Sequence, residues 1–462
     1  VLRSYRRPLP LLALAVAALP VVALPAVPAG AVTYGTPTIT LSAGYLSGAV
    51  GATGDPTVTV TVAQSGAGAS SLTVAASATT SSSVARTGDV KVTGTGASRT
   101  LAVAAQGVGY TDLTVKVTGL GGRTATRTLH YAASAAVQNS AATRYFTGSS
   151  DASAAVDAGG GYIVVGDDES NTLRLYNRAN SGAPVRTWDF STLLGVTREI
   201  DIEAAARVGD TIYWTGSLGN NKDGKLRPDR STVFATKVTG SGADTQLTLV
   251  GSYQGLRDDL IAWDSANGDR YGFAAGAAEG QAPKQIDGFN VEGLEFAPGS
   301  DSTAYIGFRA PLTPAVTGGR ALLVPVTNFT SLVDGSATRA TIGQPIELDL
   351  GGLSIRDLRR NSLGQYLIVA GSWAAEDNSA PYALYRWDGQ PGSAPVKVLD
   401  LPTGDAGAWE AVPDVPNLDA PGARAQLITD CGSADLYNDA TEAKDLTHPE
   451  WKKSRGVWFT LS

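Results

Sequence analysis

The sequence predicts an all-β protein in two parts: an N-terminal immunoglobulin-like β-sandwich and a β-propeller behind it. Three observations carry this. A strand-turn-strand phrase recurs through the second part of the chain. Short runs alternating at period two fill the first part. The single cysteine, Cys431, excludes an intrachain disulfide framework, so burial must supply the stability.

The chain opens with Arg3, Arg6 and Arg7 before the apolar run Leu11–Leu19 and a small-residue stretch ending at Ala31. This pattern predicts a cleavable secretory signal over residues 1–31, with cleavage after Ala31, and hence a secreted protein. No later run approaches the roughly 20 apolar residues of a membrane span.

Residues 32–135 are rich in Thr, Ser, Val, Ala and Gly. Runs such as TVTVTVA (57–63) and TDLTVKVTG (111–119) alternate at period two, and Gly/Ser turns separate them. About seven such strands predict an Ig-like sandwich acting as a spacer. The small, polar residues 136–142 read as a linker.

Residues 143–462 carry the repeated phrase. An inner strand with an acidic or basic residue precedes a second strand anchored by Tyr162, Tyr213, Tyr271, Tyr305, Tyr366 or Leu427, at spacings of 51, 58, 34, 61 and 61 residues. That is the period of four-stranded blades and predicts six of them, one shortened around Asp258–Gly276. The last blade lacks a fourth strand, and residues 143–149 have the texture to supply it. Pairing the two ends of the domain closes the ring and removes its sheet edges.

The formal net charge is −7. Six Lys/Arg against Asp55, Asp89 and Asp112 make residues 32–142 basic, so residues 143–462 hold the acidic excess. An acidic propeller argues against nucleic acid and anionic lipid as partners and favours a bound cation. Aligning the inner strands places Glu203, Glu292, Arg356 and Glu410 at one register, with Asp357 one step on and Asp151 and Asp259 as approximate counterparts. Inner strands ring the axis, so these side chains are expected to converge at one end of the channel. Several carboxylates there need a cation among them, and Ca²⁺ suits oxygen ligands. The expected metal ligands are Asp168, Glu203, Glu292, Glu410 and Asp430, and the expected catalytic residues are Glu203, Glu292 and Asp357. Lys222, Arg230, Arg309 and Arg356 are the candidates for holding an anionic substrate, since guanidinium forks suit phosphate and carboxylate oxygens.

No GxSxG elbow, HExxH, P-loop or dinucleotide motif is present, so no organic cofactor is expected. His130 and His448 are the only histidines. His130 reads as a strand-pairing residue, His448 as a surface residue and Cys431 as a buried small hydrophobe.

The phrases GDDESNTLRLY, EIDIEAAA, GFNVEGLEF, YIGFRAPL and LSIRDLRRN, in order over most of residues 145–435, resemble a bacterial family of secreted β-propellers of unknown function. More distantly, the Glu-Gly inner strands are similar to phytase-like, esterase-like propellers. That resemblance implies a calcium-assisted hydrolase of phosphoesters or esters, with Glu203, Glu292 and Glu410 at the matching positions. Members of these groups often show Ser-His where this chain has Ser217-Leu218, which removes that imidazole. Two functions therefore stand. One is a metal-assisted hydrolase acting on an anionic small molecule. The other is a non-catalytic extracellular module that binds a glycan or protein through the propeller face. A closed ring leaves no sheet edge to share, so a monomer is expected.

Overall fold

The computed structural model describes residues 33–374, 380–405 and 407–461. The predicted signal segment lies outside the described residues.

In the N-terminal part, alternating Val and Thr give strands with one buried face; Val58–Ala63 alternates buried and exposed along its length. Eight strands form two four-stranded sheets. In one, the order is Thr38–Leu41, Val58–Ala63, Ser98–Val103, Val90–Thr93. In the other it is Tyr45–Ala49, Thr124–Ser134, Gly109–Thr118, Thr73–Ala78, and its first pair is parallel. Val60 and Leu101 from one sheet meet Leu113, Val115 and Leu129 from the other in a shared core.

Five four-stranded antiparallel sheets follow, each running outward in chain order from an inner strand. The inner strands are Ala152–Gly159, Ile202–Val208, Asn290–Phe296, Ser354–Arg360 and Ala408–Ala411. Each packs on the next, and the fifth returns to the first, closing a ring of five blades. In the fifth blade, Thr143–Thr147 is the outermost strand, paired antiparallel with Lys453–Thr460 so that Thr147 faces Lys453. The two ends of the ring are thus joined as the sequence predicts.

The predicted sixth blade is absent among the described residues. Its segment folds as a helix, Leu256–Ala266, and a short turn of helix, Phe273–Gly276. The reason is local. Leu256, Leu260 and Asp264 recur every fourth residue on the buried face. Asp264 then accepts hydrogen bonds from the Tyr271 amide (3.1 Å) and the Phe273 amide (3.0 Å), fixing the turn between the two pieces. Tyr271 and Phe273 serve as core residues of the blade II–III junction rather than as strand anchors.

Every inner strand is interrupted at its start by a register shift that leaves one residue unpaired: Ser153, Glu203, Glu292, Arg356 and Glu410. A bulge re-aims the side chain it carries. The five-fold repeat of the bulge therefore defines the ring of functional interest. In blade I the bulged residue is Ser153, so Asp151, expected as the counterpart, sits two residues earlier, level with Asp201. Asp259, the other expected counterpart, lies on the helix and outside the ring.

Candidate functional site

Below the bulges the channel is plugged. Arg359, on the inner strand of blade IV, donates to the carbonyls of Ala155 (3.0 Å), Ala205 and Val412 (3.1 Å), in blades I, II and V. Glu295 of blade III and Asp357 of its own strand lie 3.7 Å from it. One guanidinium thus touches all five blades. Asp357, the expected catalytic residue, belongs to this layer. Its oxygens accept from the Leu358 and Val412 amides, both at 2.8 Å, and burial pushes its carboxyl up to about 7 against the pull of Arg359.

At the bulge layer, Arg309 Nη1 donates to Glu292 Oε1 at 2.8 Å, and Arg309 Nε donates to the Trp373 carbonyl. Arg356 is held between two carboxylates. Its Nε lies 2.8 Å from Glu292 Oε2, but its hydrogens point to Glu410, which it grips with both Nε (2.9 Å) and Nη2. The Glu292 oxygen accordingly has an ion-pair contact without a hydrogen bond. Burial alone would raise the Glu292 carboxyl, but Arg309 and Arg356 outweigh it and hold it below the usual range. Burial raises Glu410 despite Arg356. The structure thus places Arg309 and Arg356, at 1% and 2% exposure, as counter-ions of Glu292 and Glu410, with their donors turned to those carboxylates.

Glu203 differs. No arginine pairs with it, and burial, then Glu292 and Asp201, push its carboxyl well above the usual range. Above it, Asp168 and Asp201 bring carboxylate oxygens into the same space, and the oxygens of Asp168, Asp201 and Glu203 lie within 4.8 Å of one another. Asp168 is raised by burial and then by Asp430, Glu203 and Asp151, and its Oδ1 is buried with no hydrogen-bond donor. Asp201 opens the inner strand of blade II in the left-handed conformation (φ 59°), which Asp tolerates. Its Oδ2 accepts from Arg230 at 2.7 Å, and Arg230 also reaches Glu199.

Burial raises Asp430 to about 8 and Asp151 to about 6, each with carboxylate neighbours adding to the effect. Their approach depends on Gly432. A Cβ there would stand 1.8 Å from Asp151 Oδ1, and its amide donates to Asp430 Oδ1 at 2.6 Å. This donor set fits a hard cation that takes oxygen ligands. Asp201 was not among the residues expected at the site, whereas Asp151 was expected as an approximate counterpart and lines the mouth from two residues before the bulge. The signal for Asp201 was its place two residues before Glu203.

The cluster forms one side of a cavity of about 760 Å³ at the channel mouth. Asp151, Asp167, Asp168, Asp201 and Asp430 line it, together with Arg198, Lys222, Arg227 and Lys284. Arg230 lines it too, but is committed to Asp201 and Glu199. Of the expected substrate-holding groups, Lys222 and Arg230 therefore reach the cavity.

The fold and site define an all-β protein with a propeller whose channel mouth carries an acidic centre. No protein-family model matches the sequence, and no curated protein is similar to it. Among solved structures, similar chains include a GH43 protein of Bacillus licheniformis (11% identity, TM-score 0.32, 62% of this chain and 50% of that one). The chain thus spans about half that protein's length. A thermostable family-43 glycoside hydrolase is also similar (10%, TM-score 0.33, 68% and 90%), as is the extracellular domain of a hybrid two component system from B. thetaiotaomicron (13%, TM-score 0.24, 61% and 32%). Neighbours this distant assign no activity. No helix among the described residues is long and apolar enough to cross a membrane.

Proposed function

We propose that the channel mouth is a calcium-assisted hydrolytic site for a phosphoester or carboxylic ester in an exported protein. The observation that carries this is the convergence of Asp168, Asp201 and Glu203, with Asp168 Oδ1 lacking any donor. Those three residues would hold the ion, with Asp430 and Asp151 beside them. Bound there, Ca²⁺ would draw charge from a phosphoryl or carbonyl oxygen. Arg198, Lys222 and Arg227 line the same cavity and are suited to hold the anionic end of a substrate. Arg230 fixes the Asp201 carboxylate and so orients one ligand. Glu292 and Glu410, expected as ligands, contribute through the Arg309–Arg356 network, which holds the floor rigid under Glu203.

One observation favours the non-catalytic reading: both buried arginines at the bulge layer are spent on carboxylates, which leaves recognition to the exposed basic wall. The two readings separate in one experiment. The purified chain is assayed on phosphomonoesters and short carboxyl esters with Ca²⁺ or with chelator, and Tb³⁺ luminescence reports ion binding. Calcium-dependent turnover lost in a folded Glu203→Gln variant supports hydrolysis. Ion binding without turnover assigns a binding module. Absence of ion binding overturns the calcium-assisted reading.

A further inference from the structure

The sandwich and the propeller share a seam built by the insertion between Asp430 and Lys453. Tyr45 of the sandwich stacks between the two histidines of the chain, His130 at 4.8 Å and His448 at 3.7 Å. Tyr110 donates to Asp439 Oδ2 at 2.7 Å and packs against Tyr437 and Trp451. Beneath, the buried Lys453 ammonium donates to the Gly48 carbonyl.

Within this seam lies a second cavity of about 290 Å³, which shares Asp445 with the channel-mouth cavity. The sandwich contributes Tyr110, Asp112 and His130, and the insertion contributes Asp439, Asp445 and Trp451. Its lining differs from that of the first cavity in one respect: it has three carboxylates and no Lys or Arg. Lys444, next to Asp445 in the chain, and Lys453, beneath the seam, are engaged elsewhere. Lys444 reaches Glu169 (3.4 Å) and Glu442 (3.5 Å), and Lys453 is turned to Gly48. Asp112 already orients His130, its Oδ1 lying 2.7 Å from Nδ1, and both side chains remain 40% exposed.

A positive ligand is therefore favoured, and the geometry restricts its kind. Among the described residues, three carboxylates converge on one point only at Asp168, Asp201 and Glu203, so the seam carboxylates do not form a cage for a point ion. Separated carboxylates with aromatic and aliphatic surface between them, from Tyr110, Trp451 and Leu446, suit separated ammonium groups joined by methylenes. Ammonium groups are attracted both to carboxylates and to aromatic faces, and methylenes bury against the rings.

We propose that the seam cavity binds a small aliphatic polyamine, with Asp112 and Asp445 taking ammonium groups and Tyr110 and Trp451 covering the chain between them. Asp445 also lines the channel-mouth cavity, so the two cavities meet at this residue.

The test is titration calorimetry of the full chain with spermidine at about 0.15 M salt. Asp445→Asn and Asp112→Asn are the probes, and Asp244→Asn, in the exposed blade II turn, is the charge-matched control. The expected result is saturable binding, at least tenfold weaker in Asp445→Asn and Asp112→Asn and unchanged in the control. Asp445 is exposed, so its variant folds even if the Asp112 variant does not. Absence of saturable binding overturns the proposal. So does an equal loss in Asp244→Asn, which would show diffuse attraction to an acidic chain, and so does binding of neutral cellotetraose in place of spermidine.

Discussion

Two groups of carboxylates in one channel differ in their counter-ions. Glu292 and Glu410 sit in a network with Arg309 and Arg356, and Glu295 and Asp357 flank Arg359. Asp168 and Glu203 have no arginine ion pair among the described residues, and burial with neighbouring carboxylates drives both carboxyls upward, in spite of Lys284 beside Glu203. Buried charge is costly unless compensated. On the proposed reading, the arginine-paired carboxylates hold the ring together and the cluster of Asp168, Asp201 and Glu203 is where a cation would change the energy.

The sharpest way to break this comparison is to remove the compensation. Arg356→Met leaves Glu292 and Glu410 with one fewer cation, and breaking a buried pair costs about 3–5 kcal/mol. Chemical denaturation should show a loss of that size; a loss below ~1 kcal/mol would mean that the network carries little. Calcium should act on the other layer. At free ion ~100-fold above its Kd, binding to the folded state adds about 2.7 kcal/mol. The melting temperature should rise accordingly in wild type, and stay put in Asp201→Asn. Neutralising each layer in turn sharpens the contrast. Without calcium at neutral pH, Glu203→Gln should stabilise by about 1 kcal/mol by removing a buried carboxylate crowded by Glu292 and Asp201, and Glu292→Gln should destabilise by removing a carboxylate that Arg309 and Arg356 share. Equal signs for the two would erase the distinction.

The smallest effect belongs to the seam, where Asp55 is a third kind of case. Its carboxylate accepts the Ala49 amide (3.1 and 3.2 Å), and burial raises it to about 6 in spite of Lys453. Its folded pKa exceeds the unfolded value, so its contribution is full below about pH 4 and lost as pH rises through about 6. Wild type should therefore lose stability relative to Asp55→Asn across that window in melts run from pH 4 to 7. A flat difference would show that Asp55 is solvated in the folded state.

Much of this was legible in the residues. Period-two alternation marked the sandwich strands, such as Val58–Ala63, and the Tyr-anchored phrases marked the second strands of the blades, because apolar spacing reports a buried face directly. The need for Thr143–Thr147 to complete the last sheet was legible because an unpaired edge is a visible deficit. The blade count was not. Asp258–Gly276 carries a tyrosine at a plausible spacing, but buried Leu256, Leu260 and Asp264 recur every fourth position and Asp264 caps the following turn, so helix wins over strand. Within the site, the register of Glu203, Glu292, Arg356 and Glu410 was readable from the repeat. Asp201 was overlooked, and Asp151 was read at the level of Glu203 rather than of Asp201, because the bulge shifts which residues share a level.

The sequence by itself determined strand, strand order and the concentration of acid on the inner strands, since these follow from local pattern and from the need to bury one face. Tertiary structure alone decided which acids are neutral in effect and which are not. Arg309 reaches Glu292 within its own blade, but Arg356 grips a glutamate of the next blade and Arg359 touches every blade. Charge compensation in a closed ring is set by neighbours 50 to 200 positions away in the chain. No local pattern encodes that pairing, and it is the pairing that leaves Asp168, Asp201 and Glu203 facing one another at the mouth.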